Sequence, residues 1–154
     1  MTPKSFPYRK QETDFYCGPA IVQMALATQG TDISQNELAA SMGTSEHGTP
    51  LTEIERVLAL HGFVTIRKNN AAWEDIDDAL QKGMMVIIGY VEPEEEVAHY
   101  SFVASTNDEA IYFVDPLFGP DFTMSREEFE KRWRDDEDGA YGERMMLVVS
   151  IPKV

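Results

Sequence analysis

From Ile21 to His61 the apolar residues recur at helical spacing, and from Met84 onward they run in strand-sized blocks. Ile21-Val22-Gln23-Met24-Ala25-Leu26-Ala27 reads as a helix, with Pro19 in its first turn and Gly30 just past its last. Ser34-Gln35-Asn36-Glu37 is a capping box that opens a short helix closed by Gly43. After a polar loop, Thr44 to Gly48, Thr49-Pro50 opens a third helix with Leu51, Ile54, Val57, Leu58 and His61 on its apolar stripe and Gly62 as its stop. A brief alternation from Phe63 to Arg67 suggests a strand. Trp73, Ile76 and Leu80 then mark one face of a fourth helix, Ala72 to Lys82.

Beyond Gly83 the period changes. Met84 to Val91, His99 to Thr106 and Ala110 to Val114 are rich in β-branched and aromatic residues and read as strands. A second capping box, Ser125 to Glu128, opens a helix carrying Phe129 and Trp133, and Met145 to Ile151 is the last strand. Helices first and an antiparallel sheet after predict an α+β domain in two segregated layers. The 154 residues form one domain, with no internal repeat, low-complexity segment or linker.

Composition narrows the functions available. Twenty-seven acidic against 13 basic side chains give a formal charge of −14, which argues against nucleic acid and anionic membranes and for basic or neutral partners. A single cysteine excludes a disulfide framework and a multi-cysteine metal site, and nothing in the pattern calls for a cofactor. Met1 to Lys10 lacks the apolar core of a signal peptide, and the longest apolar run, Met84 to Val91, is strand-sized rather than membrane-spanning. The expectation is a cytoplasmic protein.

That cysteine, Cys17, lies in Gln11-Glu12-Thr13-Asp14-Phe15-Tyr16-Cys17-Gly18-Pro19-Ala20, at or just before the start of the first helix. A lone cysteine is most often a small buried hydrophobe with an inert thiol. Its place at a helix N-terminus, rather than in the apolar stripe, favours an anion. Gly18 permits close approach by a backbone or substrate. Gln11, six residues upstream, carries an amide able to donate to a developing oxyanion.

A thiol nucleophile needs a base and a group to orient it. His47 sits in the polar loop and reads as solvated, and His61 ends the third helix and reads as a cap. His99 opens a strand directly after the acidic loop Glu92-Pro93-Glu94-Glu95-Glu96, and Asp115-Pro116 closes the strand that follows. In an antiparallel hairpin the start of one strand lies beside the end of the next, so topology brings His99 and Asp115 together. A loop with an odd number of residues, centred on Asn107, puts them on one face of the sheet, and an even loop puts them on opposite faces. The odd loop is the expectation. The acidic loop reads either as a solvated face or as one wall of the cleft, which would favour basic substrates.

With Gln11, Cys17, His99 and Asp115 in that order, the chain resembles the papain-like cysteine peptidases, and among them the bacteriocin-processing, double-glycine peptidase-like group. The resemblance runs from Gln11 to Trp133 and rests on Cys-Gly-Pro-Ala, His-Tyr-Ser-Phe-Val, Asp-Pro-Leu-Phe-Gly and Ser125-Arg126-Glu127-Glu128-Phe129 with Trp133. It implies a papain-like fold, a helical layer carrying the cysteine packed on a sheet carrying the histidine and aspartate. It implies that Cys17 is the nucleophile, His99 the base, Asp115 the orienting acid and Gln11 the oxyanion-hole glutamine. Ser101 stands where the group usually has an aliphatic residue. No transporter domain accompanies these motifs, so leader-peptide maturation does not follow from the likeness. The activity implied is hydrolysis of a peptide or peptide-like substrate through an acyl-enzyme. An acyltransferase with the same residues, an idle peptide- or partner-binding module, and a redox-sensing cysteine are the other readings.

Overall fold

The computed structural model describes residues 7–136 and 139–150. In chain order the elements are α1 (Cys17–Ala27), α2 (Gln35–Met42), α3 (Leu51–Leu60), β1 (Val64–Lys68), α4 (Trp73–Gln81), β2 (Met85–Val91), β3 (Ala98–Thr106), β4 (Ala110–Asp115), β5 (Gly119–Ser125), α5 (Arg126–Arg132) and β6 (Met146–Ser150). Each predicted helix is present. Both capping boxes carry the bond that matters: Ser34 accepts from the Glu37 N–H and Ser125 from the Glu128 N–H, each at 3.1 Å. Ile151, the expected end of the last strand, lies outside the described residues. Among the described residues, no helix is long and apolar enough to cross a membrane.

The six strands form one antiparallel sheet in the order β1-β6-β2-β3-β4-β5. Strand alternation sends Met85, Ile87, Tyr100, Phe102, Val114 and Leu147 into the core shared with α1, α2 and α3. Val86, Ile88, Tyr90, Val103, Ile111 and Phe113 pack on the opposite face with Trp73 and Ile76 of α4 and Phe129 of α5. Both faces of the central strands are thus covered, which explains their almost continuous apolar runs. The helical layer carrying Cys17 packs on the sheet as expected, and α4 and α5 add cover behind it. Strand β5 has no counterpart in the sequence reading, because Gly119, Pro120 and Asp121 look like a turn. As an edge strand, it tolerates a proline that a central strand would not.

The β3–β4 hairpin departs from the expected geometry in an instructive way. Thr106 pairs with Ile111, and the Asn107 N–H donates to the Ala110 carbonyl at 3.0 Å. The loop is therefore even-numbered, with Asp108 and Glu109 at its tip, and is not centred on Asn107. Left alone, that loop would put His99 and Asp115 on opposite faces. A bulge corrects it: Val103 pairs with Phe113 but Ser105 with Tyr112, so Ala104 is an extra residue and parity flips once more. Past the bulge Phe102 pairs with Val114, and one step along this register Ser101 lies across from Asp115. His99, two residues from Ser101, shares the face of Asp115.

Gly18 fixes how closely α1 approaches the α2–α3 connection. A Cβ there would lie 2.5 Å from Thr49 Oγ1 and 2.7 Å from Thr49 Cβ, too close for either neighbour to stay in place. Thr49 is itself buried and bonded to Thr44 Oγ1 at 2.7 Å. Overpacking of this kind costs about 1–3 kcal/mol. Gly18→Ala should lower the urea midpoint accordingly, and an unchanged midpoint would show that the α1–Thr49 contact is not tight.

Candidate active site

Cys17 is the first residue of α1 and is 7 % exposed. The preceding residue, Tyr16, makes no side-chain cap; its hydroxyl reaches Asn36 Oδ1 at 2.9 Å instead. The first N–H groups of α1, that of Cys17 among them, therefore have no intrahelical acceptor and point their positive end at the sulfur's surroundings. Cys17 and His99 line the same cleft.

The other side of the ring is fixed. His99 Nε2 lies 2.9 Å from Asp115 Oδ1, with His99 4 % exposed and Asp115 fully buried. This leaves Nδ1 as the ring nitrogen for Cys17. Because His99 pairs with Tyr90 across β2 and β3, the imidazole sits on the sheet face that carries Tyr90 and Phe113, where β3 begins. Cys17 belongs to the core on the other face. Cys17 and His99 thus come to the shared cleft from different layers of the fold.

Electrostatics reinforce the pairing. Burial alone would push the His99 imidazolium to lower pKa, but the Asp115 carboxylate, and after it the Cys17 charge, outweigh burial and hold it up at about 10. Burial likewise opposes ionisation of Asp115. The His99 charge, then hydrogen bonds from His99, Tyr90 and the Phe118 N–H, keep the carboxyl below the usual range.

The Asp115 carboxylate is saturated with donors. Oδ1 accepts from His99 and from the N–H groups of Leu117 at 2.8 Å and Phe118 at 3.0 Å. Oδ2 accepts from Tyr90 Oη at 2.7 Å. The Asp115 main-chain carbonyl accepts from the Tyr8 hydroxyl, whose pKa burial, then the carboxylate, raises to about 12. Sequence reasoning missed both tyrosines. The signal for Tyr90 was available, as the single hydroxyl within Met85-Val86-Ile87-Ile88-Gly89-Tyr90-Val91. Ser101, the other anomaly, is fully buried, and its hydroxyl donates to the Val114 carbonyl at 3.2 Å.

Gln11 is 7 % exposed and anchored beside the acid: its N–H donates to the Pro116 carbonyl at 2.9 Å. Its side-chain Nε2 donates one hydrogen to the Thr13 carbonyl at 2.9 Å, so a second remains to be donated. Gln11 Oε1 is buried with no hydrogen-bond partner, the kind of strain that points to function.

Cys17 and His99 open into a cleft of about 970 Å³. Among the described residues its walls include Asp14, Glu46, Glu92, Glu94, Glu95 and Asp136, and no lysine or arginine. The acidic loop divides its labour. Glu92 is buried and accepts from the N–H groups of Glu94 at 2.7 Å and Glu95 at 2.6 Å, so it shapes the loop. Glu96 instead reaches Arg132 of α5 at 3.0 Å, so of the two readings of the loop the cleft wall holds for Glu92, Glu94 and Glu95 and not for Glu96. His47 stands exposed on the opposite rim, and His61 is the C-cap residue of α3.

Comparison with known proteins places this geometry. The sequence model of the peptidase C39 family matches residues 5–136. The lactococcin-G-processing and transport ATP-binding protein of Lactococcus lactis subsp. lactis is 27 % identical over 132 residues, covering 84 % of this chain but 18 % of that protein. The chain therefore spans less than a fifth of that relative's length. The peptidase domain of Streptococcus ComA, a bi-functional ABC transporter involved in a quorum-sensing pathway, superposes with a TM-score of 0.73 at 19 % identity, covering 94 % of this chain and 97 % of that one. A double-glycine-motif protease from an AMS/PCAT transporter, solved with its leader peptide, gives a TM-score of 0.68 at 16 % identity, covering 95 % and 91 %. The fold is that of these papain-like peptidase domains, and the chain belongs to the peptidase C39 family of cysteine peptidases.

Proposed function

We propose that this chain hydrolyses peptide bonds with Cys17 as nucleophile, His99 as acid and base, Asp115 as orienting acid and Gln11 in the oxyanion hole. The observation that carries the reading is the His99 Nε2–Asp115 Oδ1 bond of 2.9 Å, made in the cleft that Cys17 also lines. The Cys17 thiolate attacks the scissile carbonyl. The resulting oxyanion takes hydrogen bonds from the Cys17 N–H and the Gln11 amide. His99, protonated, gives its Nδ1 proton to the departing amine as the C–N bond breaks, leaving a thioester on Cys17. Neutral His99 then takes a proton from water, whose oxygen attacks the thioester; the C–S bond breaks, the acyl group leaves as the carboxylic acid, and the Cys17 thiolate and the protonated His99 are restored. Asp115 keeps the ring oriented and compensates its positive charge throughout.

The substrate is a peptide with basic side chains near the cleaved bond. A cleft walled, among the described residues, by six acidic side chains and no lysine or arginine would attract cations and repel acidic segments. A relative that processes lactococcin G and a fold neighbour solved with a leader peptide support a peptide substrate. The formal charge of −14 extends the same preference to the whole surface.

Two measurements check this reading. A peptidyl electrophile should label the wild type on Cys17, fail to label Cys17→Ala, and label His99→Ala slower by about 10²–10⁴-fold. Gln11→Ala should keep labelling but lose about 10²–10³-fold in turnover. Equal labelling of wild type and His99→Ala would remove the base from the mechanism. In a peptide library, basic residues should raise kcat/KM, and raising ionic strength from 0.01 to about 0.5 M should erode that preference. Equal turnover of acidic and basic peptides at low salt would remove the charge selectivity.

A further inference from the structure

The hydroxyl of Tyr90 has no role in the reading above, and its position demands one. Tyr90 is fully buried on β2, stacked on Phe113 at 5.3 Å with an interplanar angle of 14°. A phenylalanine would supply the same ring to that stack. What the hydroxyl adds is one bond, to Asp115 Oδ2 at 2.7 Å. Among the described residues, it is the one donor to that oxygen, whereas Oδ1 takes three.

We infer that Tyr90 is a positioning residue for catalysis, acting through Asp115: its hydroxyl fixes the carboxylate plane and keeps the acid ionised against His99. The inference rests on the triad reading. An ionised carboxylate oxygen that is buried without a donor costs more than a neutral polar atom left in the same way. If the Tyr90 hydroxyl were lost, Asp115 would escape that cost by taking up a proton on Oδ2 or by rotating its carboxylate. Protonation removes the charge that balances the imidazolium, and rotation removes the bond to Nε2. Register explains why a residue of β2 can do this, since Tyr90 lies directly across from His99 and the two rings meet edge to face at 5.6 Å. One side chain thus supports the base by packing and the acid by hydrogen bonding.

The test compares Tyr90→Phe with Tyr8→Phe, which loses a bond to the Asp115 main chain rather than to its carboxylate. The readout is the pH dependence of kcat/KM on a peptide substrate and, independent of turnover, that of Cys17 alkylation. Removal of a donor to the carboxylate raises its proton affinity. The acid limb of both profiles should therefore move up by about one pH unit in Tyr90→Phe, with kcat lowered about tenfold and KM little changed. Tyr8→Phe should leave the limb in place. If Tyr90→Phe does not fold, site-specific fluorotyrosine at position 90, a stronger donor, should move the limb down. A folded Tyr90→Phe protein, or the fluorotyrosine protein, with an unmoved acid limb overturns the inference. Should the wild type cleave no peptide, the hydrolase reading fails, while the alkylation profile still decides the role of Tyr90.

Discussion

A carboxylate with no exposure to water is the constraint on which this structure depends. Asp115 is tolerable in its position only because donors from separate parts of the chain converge on it: His99 from β3, Tyr90 from β2, and the Leu117 and Phe118 N–H groups from the turn that follows. Gln11 is tied to the adjoining Pro116 carbonyl and Tyr8 to the Asp115 carbonyl, so the segment preceding α1 is fastened to the same point. That segment leads into Cys17. Cys17 is therefore led into its place by a segment hydrogen-bonded to Asp115 and Pro116, although 98 positions separate Cys17 from Asp115 in the sequence.

A helix end and a sheet end meet here because each leaves something unsatisfied. Helix α1 offers uncapped N–H groups, buried on nearly every side and without an acidic residue in its first turn. The sheet offers an imidazole whose charge is held by Asp115 at its far nitrogen. An anion between them would be stabilised by both, and Cys17, at the first position of α1, lines the cleft where they meet.

Much of this was legible in the sequence, where local chemistry decides the outcome. The Ser34 and Ser125 capping boxes, the Gly43 stop and the helical stripe of α3 name their elements because the determining residues are adjacent in the chain. Topology alone brought His99 next to Asp115. The hairpin loop was not legible, since the bulge at Ala104 leaves no mark in composition. Two departures from the expectation, an even loop and a bulge, cancel, and the predicted juxtaposition holds for a different reason. Strand β5 was hidden by Pro120, which only an edge position excuses. Tyr8 and Tyr90 were missed because a buried hydroxyl declares itself only when its acceptor is known.

The central claim is that His99 is held as a cation between Asp115 and Cys17. The most direct measurement is the pH titration of the His99 imidazole by heteronuclear NMR of selectively labelled protein. The account predicts an imidazolium that persists to about pH 10 in the wild type. In Asp115→Asn and in Cys17→Ser the midpoint should fall, since each loses one of the charges that outweigh burial; with both changes, burial alone should leave it below 6.5. A wild-type imidazole that titrates near 6.5, unmoved by either substitution, would contradict the account.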